Sequence, residues 1–481
     1  MDERVSETAP HNSNGNKAFT GNCPGVRRKP VGRRAGRAIA HQEALSAMSE
    51  MLAGIFPELP EWFNALPDRR NQILCKYTAA HIWFQPLLMF LTRAGSRNAF
   101  DISRNSGNMP INMGIFCGQP ASDDRFDEHP TVTCSDNVDR HVDSVAPEDV
   151  AEIPVKMIRK LMMRGMFNSC RMLNTWHVLV VDGTVQEKCR KGFEKDGKTM
   201  SNGSKQYARY RYVLQCGILG PGGKLLPLMH ETVDMHNPAT EKEDCELEAF
   251  MRLAARIKKA FPRTPFCIVG DALYACERVV CLCEENEWRY VLTLKEGRQP
   301  TLWGETLELF GLAPQNHATV LHAPDGEKPE YRDFRWVEDL KLGDKHRCAV
   351  ILEGVCGTQA CSLYAWITNF RQLDKSRVLT ISNVAGRERH RIEDLFNAQK
   401  NNGVGLEHVF CAKPQAAKNY YTIMQVAEII WQLFFWGHCW RLFEWARKTT
   451  QKGIARAIGE GLRHCRINLN VRPIGQLRFV T

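Results

Sequence analysis

The spacing of apolar positions divides the chain into stretches of different rhythm. From 41 to 120 apolar residues recur at helical intervals, as in HQEALSAMSEMLAGIF and HIWFQPLLMFLTRAG. A Gly-, Asn- and Pro-rich stretch from Gly95 to Pro130 interrupts them, and helical spacing returns after Cys134. There Ala146-Pro147-Glu148-Asp149 sets a proline early in a helix and acid in its first turn. The period changes near Thr175. Residues 176–181 (WHVLVV) form a short apolar run that ends at Asp182-Gly183-Thr184, the pattern of a buried strand and turn. Two further strands are predicted at 209–218 and 224–233, joined by a Gly-Pro-Gly-Gly turn. A helix from about Glu241 to Phe261 follows. Then come a strand at 266–269 that ends at Gly270-Asp271, a helix over about 274–286, and a strand at 290–294. Residues 300–380 predict mainly β structure (DFRWVEDL, CAVILEGV, SLYAWITNF), and helices resume from about Arg387. The order strand, strand, strand, helix, strand, helix, strand predicts an α/β protein with a five-stranded mixed sheet flanked by helices.

Composition narrows the classes. The 481 residues are 43% hydrophobic and 25% charged, which excludes a chain disordered throughout. Residues 419–440 (NYYTIMQVAEIIWQLFFWGHCW) are long enough to span a bilayer. Glu428, Gln432 and His438 would be costly in lipid, so a buried core helix is the expectation, with no membrane partner. Residues 1–40 have no apolar core of a signal peptide, and the 18 cysteines form no even framework. Reduced thiols and a cytoplasmic, DNA-associated location are expected. Cys276, Cys281 and Cys283 lack a second Cys or His pair at zinc spacing, so no zinc is expected. Lys and Arg outnumber Asp and Glu by 64 to 54, a net +10 that suits a polyanionic partner. Six of the eleven residues in 27–37 are basic, among them Arg27, Arg28, Lys29, Arg33 and Arg34. Residues 1–40 read as a flexible basic arm that contacts DNA or as a solvated tail, with equal weight.

Three carboxylates carry the candidate chemistry. Asp182 and Asp271 each follow an apolar strand, and strand ends deliver rigid side chains to a crevice. Two acids on neighbouring strand ends repel unless a cation lies between them. Oxygen-only donors suit Mg²⁺, which keeps waters and accepts substrate phosphate as a further ligand. Either aspartate alone would more often cap a turn. Glu393 lies in GRERHRIEDLFNAQK; with 387–400 helical, Arg389, Glu393 and Lys400 share one face, while Ile392, Leu395 and Phe396 form a separate apolar stripe. Such a charged face can be merely solvated. Its chemistry also suits a phosphodiester, with a carboxylate for metal and two cations for flanking phosphates.

The helix resembles the signature of DDE transposases of the insertion-sequence-four type, which runs Tyr, two residues, Arg, three residues, Glu, six residues, Lys. Arg389, Glu393 and Lys400 match, whereas Gly386 stands where the signature has tyrosine. Asp182 and Asp271 match its first and second acids by order and strand context. KEDCELEAF, LKEGRQPTL, YAWITNF and KNNGVGLEH also look like relatives of this group. The likeness covers about 130–430, and more faintly 59–100. It implies a ribonuclease H-like mixed sheet core at 171–298 and 381–445 with a β-rich insertion at 299–380. A helical DNA-binding region at 41–170 and a C-terminal tail at 446–481 complete the expected organisation. It also implies two Mg²⁺ ions, with Mn²⁺ able to substitute, held by Asp182, Asp271 and Glu393, and double-stranded DNA as both element end and target. Arg389 and Lys400 would position the strand, and a homodimer would form on DNA. A catalytically silent DNA-binding protein, or a nuclease of the same fold that does not join ends, would carry the same triad.

Lesser candidates are read more cautiously. Trp303 and Trp336 could stack on an extruded base, with core packing the weightier role. His230, His236 and His408 are kept out of the site. Thr368 and Asn369 are candidates for indirect support, and Arg69, Arg70, Arg93 and Arg97 for phosphate contacts or solvated surface.

Overall fold

The computed structural model describes residues 33–118, 131–189, 198–201, 207–233, 245–322, 329–356, 361–439 and 442–468, together with 477 and 479. Ten strands form one sheet. They are β1 His177–Cys189, β2 Lys198–Ser201, β3 Tyr207–Leu219, β4 Leu225–Val233, β5 Phe266–Gly270, β6 Arg289–Thr293, β7 His317–His322, β8 Glu330–Leu342, β9 His346–Cys356 and β10 Cys361–Thr368. Their order is β2-β3-β1-β5-β6-β10-β9-β8-β7, with β4 also on β3. β1, β3 and β4 pair antiparallel, while β5 and β6 run parallel to β1. The class is mixed α/β.

The sheet's centre is apolar because its central strands are covered. Val178, Leu179, Val180 and Val181 of β1, and Phe266, Cys267, Ile268 and Val269 of β5, are all buried. Continuous apolar runs of this kind belong to strands covered on both faces.

Among the described residues, seven α-helices precede the sheet: α1 Arg33–Ile55, α2 Leu59–Asn64, α3 Ala79–Leu91, α4 Arg97–Ser103, α5 Met109–Phe116, α6 Ser135–Val142 and α7 Pro147–Met163. Within and beyond the sheet come α8 Glu246–Ala260, α9 Glu277–Glu285, α10 Pro300–Leu312, α11 Lys375–Ile381, α12 His390–Asn401, α13 Pro414–Phe434 and α14 Gln451–His464. α13 is the central beam of the molecule. It packs against α3, α7 and β4, and almost every residue from Ala416 to Phe434 is buried. Glu428 lies fully inside, where burial raises its pKa, and Gln432 donates to it at 2.7 Å. Among the described residues no helix is long and apolar enough to cross a membrane.

Residues 300–380 are mainly β, with α10 and α11 opening and closing the stretch. The four strands between them extend the central sheet, since β10 pairs antiparallel with β6 through Trp366–Thr293, Ile367–Leu292 and Thr368–Val291. The C-terminal segment from 446, expected to be helical, contains α14, which docks on α1 with Ile454, Ala455, Ile458 and Leu462 buried. Its Gly461 allows a close approach, for a Cβ there would stand 2.6 Å from the His41 carbonyl oxygen. Residues 33–40, read as part of a flexible arm, open α1 instead.

Candidate active site

The β1–β5 register brings the two aspartates together. His177 faces Phe266 and Val180 faces Val269. The paired stretch ends at Val180 and Val269; Asp182 lies two residues further along β1 and Asp271 just past the end of β5, near enough for the Asp271 charge to act on Asp182. Each acid is braced by its own backbone. Asp182 Oδ1 accepts the Gly183 N–H at 2.9 Å, and Asp271 Oδ1 accepts the Leu273 N–H at 2.8 Å. Asp182 is pushed up to a pKa of about 6, chiefly by burial. Arg389 and the Gly183 N–H oppose that shift, while the charges of Glu246 and Asp271 add to it.

Glu393 arrives on α12. Ile392, Leu395 and Phe396 bury the apolar stripe of this helix, which lies across β1 and reaches β4. Gln399 fixes its rotation by donating to Gln425 of α13 at 2.9 Å, in the buried interior. The loop after α12 is tied back to the sheet by the buried Arg211–Glu187 ion pair, whose arginine also donates to the Ala412 carbonyl at 2.7 Å. A π turn over Ser382–Gly386 and a 3₁₀ turn over Arg387–Arg389 precede α12, so Arg389 lies just before the regular helix. Helical spacing still holds there. The Arg389 guanidinium bonds Glu393 and reaches Asp182 Oδ2 at 3.3 Å. This arginine therefore bridges the first acid and the third.

Lys400 points elsewhere. It pairs with Glu407 at 3.4 Å, as Lys188 of β1 does at 2.8 Å. Beside Arg389 and Glu393 opens a cavity of about 770 Å³, lined also by Lys295, Tyr364, Trp366 and His390. Arg387 stacks 3.9 Å over the Tyr364 ring and grips the buried Glu353 with two hydrogen bonds of 2.7 and 3.0 Å.

Gly386 now has a physical account. Its backbone is ordinary right-handed helix, so no glycine conformation is demanded. A Cβ there, however, would stand 2.5 Å from the Trp366 indole. Trp366 fills the space a side chain at 386 would use.

The remaining candidates divide. Arg27, Arg28 and Lys29 lie outside the described residues, as does His236; Arg33 and Arg34 form the first turn of α1. Arg70 is held by Asp68 and Arg97 by Asp139, while Arg93 lies 4.5 Å over the Trp431 ring and donates to the Asn402 carbonyl. Of the four proposed phosphate contacts only Arg69 is plainly exposed. Trp336 is core and Trp303 packs on it. His230 is buried against Tyr421, and burial lowers its pKa to about 3. Thr368 and Asn369 bond the Tyr290 and Trp288 carbonyls at the start of β6, the end away from Asp271.

One group escaped the sequence reading. Glu246, the first residue of α8, accepts hydrogen bonds from Tyr212 Oη at 2.9 Å and Tyr274 Oη at 2.6 Å. It lies within KEDCELEAF, and only the pairing of β3 with β1 brings it near Asp182. No periodic signal marks it. Among the described residues, no three His, Cys, Asp or Glu side chains stand together so that they could hold a metal ion. No family model matches the chain, and no curated protein matches it significantly.

Proposed function

We propose that the protein is a DDE transposase of the insertion-sequence-four type, cutting DNA at element ends and joining the freed 3′-hydroxyl to a target strand. The observation that supports this reading most is the Arg389 bridge, which joins Asp182 of β1 to Glu393 of α12 while Asp271 follows the neighbouring parallel strand β5. The strand sequence β4-β3-β1-β5-β6, three antiparallel and then two parallel, supports a ribonuclease H-like core.

The donor set fits Mg²⁺ or Mn²⁺. It is all carboxylate, and Asp182 is a half-buried acid whose charge is under-compensated by Arg389 alone. Asp182, Asp271 and Glu393 would hold the metal, which supplies Lewis-acid stabilisation of the attacking and leaving oxygens in an in-line displacement at phosphorus. Arg389 has the planar fork that suits a phosphate oxygen pair, and a phosphodiester can replace the two carboxylates it now binds. Lys400 and Lys188 mark where the strand continues beyond Glu407. Hairpin formation and dimerisation on DNA are not needed for these roles.

Asp182→Asn, Asp271→Asn and Glu393→Gln should each reduce nicking of a terminal-repeat duplex by roughly a thousandfold, about 4 kcal/mol of barrier. Undiminished cleavage by Asp182→Asn would remove the basis of the reading. A second reading, a DNA-binding protein that no longer cleaves, is favoured by Arg389 lying between two of the acids. A gel shift that persists while wild-type protein never nicks DNA in Mg²⁺ or Mn²⁺ selects that alternative.

A further inference from the structure

The two aspartates share a feature of their surroundings. Each has a glycine as immediate neighbour, Gly183 after Asp182 and Gly270 before Asp271. In both cases a tyrosine fills the space a side chain would need. The Tyr212 hydroxyl lies where a Cβ on Gly183 would project, and the Tyr274 ring would stand 2.7 Å from a Cβ on Gly270. Tyr212 reaches Gly183 from β3, where it pairs with Val185 of β1. Tyr274 arrives from the turn after β5, its N–H donating to the Asp271 carbonyl at 3.2 Å. The two rings come from different elements, yet their hydroxyls converge on one carboxylate, Glu246. Tyr274 is fully buried, so its hydroxyl depends on that acceptor.

We infer that Glu246 is a positioning residue, which through Tyr212 and Tyr274 fixes the backbone beside Asp182 and Asp271 and so sets the separation of the two metal-binding carboxylates. This rests on the proposed metal-dependent reading of the site. The linkage runs from Glu246 to a tyrosine hydroxyl, from the ring to a glycine backbone, and from there to the adjoining acid. The shared acceptor couples the two tyrosines, which otherwise pack on different rings, Tyr212 on Tyr210 and Tyr274 on Phe250. Without that coupling the two aspartates could drift apart by a few tenths of an ångström without unfolding either strand. A carboxylate suits the task because each hydroxyl donates to its own oxygen, Tyr212 to Oε2 and Tyr274 to Oε1, whereas an amide has an acceptor oxygen on one side only. Groups that orient metal ligands from behind typically contribute 10- to 100-fold in metal affinity or activity.

The test uses the full chain and three variants, Tyr212→Phe/Tyr274→Phe, Glu246→Gln and Asp182→Asn. Mn²⁺ binding is measured by electron paramagnetic resonance without DNA, and cleavage kinetics on a terminal-repeat duplex. The double Phe variant keeps the Glu246 charge and removes only two oxygens. It should bind Mn²⁺ roughly 10- to 100-fold more weakly and lose kcat by a similar factor, with KM for DNA within twofold. Glu246→Gln should do the same. If the double variant fails to fold, Tyr212→Phe alone should still lose severalfold in Mn²⁺ affinity. Should the tyrosine variants keep wild-type Mn²⁺ affinity and kcat, the inference is overturned, even where Glu246→Gln is impaired, because Glu246 then acts without the tyrosines. Asp182→Asn separates the two levels. If it binds Mn²⁺ and cleaves as wild type does, the metal reading fails; if it alone is impaired, only the role of Glu246 fails.

Discussion

Asp182 is a carboxylate held where its charge is resisted. Its pKa rises from the ordinary 3.8 to about 6 because burial outweighs the help of Arg389. The folded chain therefore keeps this proton longer than the unfolded one. Its contribution to stability is most favourable below 3.8 and declines as pH climbs through the window to 6, by roughly 3 kcal/mol in all. In metal-free buffer, Asp182→Asn should flatten that decline and gain stability above pH 6, less the small loss of its pair with Arg389. Denaturant titrations at pH 4 and pH 7 measure it, and identical pH slopes in the two proteins would contradict it. Gly386 makes a second residue-scale case. Gly386→Tyr, which restores the signature, should cost about 1–3 kcal/mol by overpacking against Trp366. Trp366→Ala should relieve part of that cost in the double variant, and strict additivity would show that the two sites do not share space.

At the scale of elements, α12 is held by a stripe and a single buried amide pair. Gln425→Leu leaves the Gln399 amide without its partner and should destabilise by about 1–3 kcal/mol, while Gln399→Leu/Gln425→Leu should recover much of the loss. Equal stability of single and double variants in urea would argue against the pair. This helix was largely legible beforehand, because Arg389, Glu393 and the Ile392–Leu395–Phe396 stripe obey one short period. Its 3₁₀ and π entry was not, since no local pattern in SNVAGRER encodes those turns. Nor was α10. It falls in the stretch read as mainly β, although its proline in the first turn is a start signal. Individual strands of 330–370 were visible in their alternation, but their union with β6 was not, because pairing partners far apart in sequence leave no local trace. Glu246 was hidden for the same reason, being defined by two tyrosines from other elements.

For the whole molecule, the net charge of +10 has a direct consequence if DNA is the partner. Binding of Asp182→Asn protein to a duplex should weaken steeply with salt, by roughly a thousandfold between about 50 and 200 mM if six phosphates are neutralised. Affinity that ignores salt would rule out a phosphate-dominated interface. The charge suits a polyanionic partner without saying where one would bind, because Arg70, Arg93 and Arg97 are all engaged internally.

The docking of α14 on α1 also orders events during synthesis. α1 leaves the ribosome before α14, and the face of Leu45 that meets Gly461 is not covered by α14 until Gln451–His464 has emerged. The sheet between them can be complete well before the helices at either end meet. A nascent chain halted ahead of Gln451 would thus carry a finished β framework and a bare apolar helix face, open to chaperones and proteases.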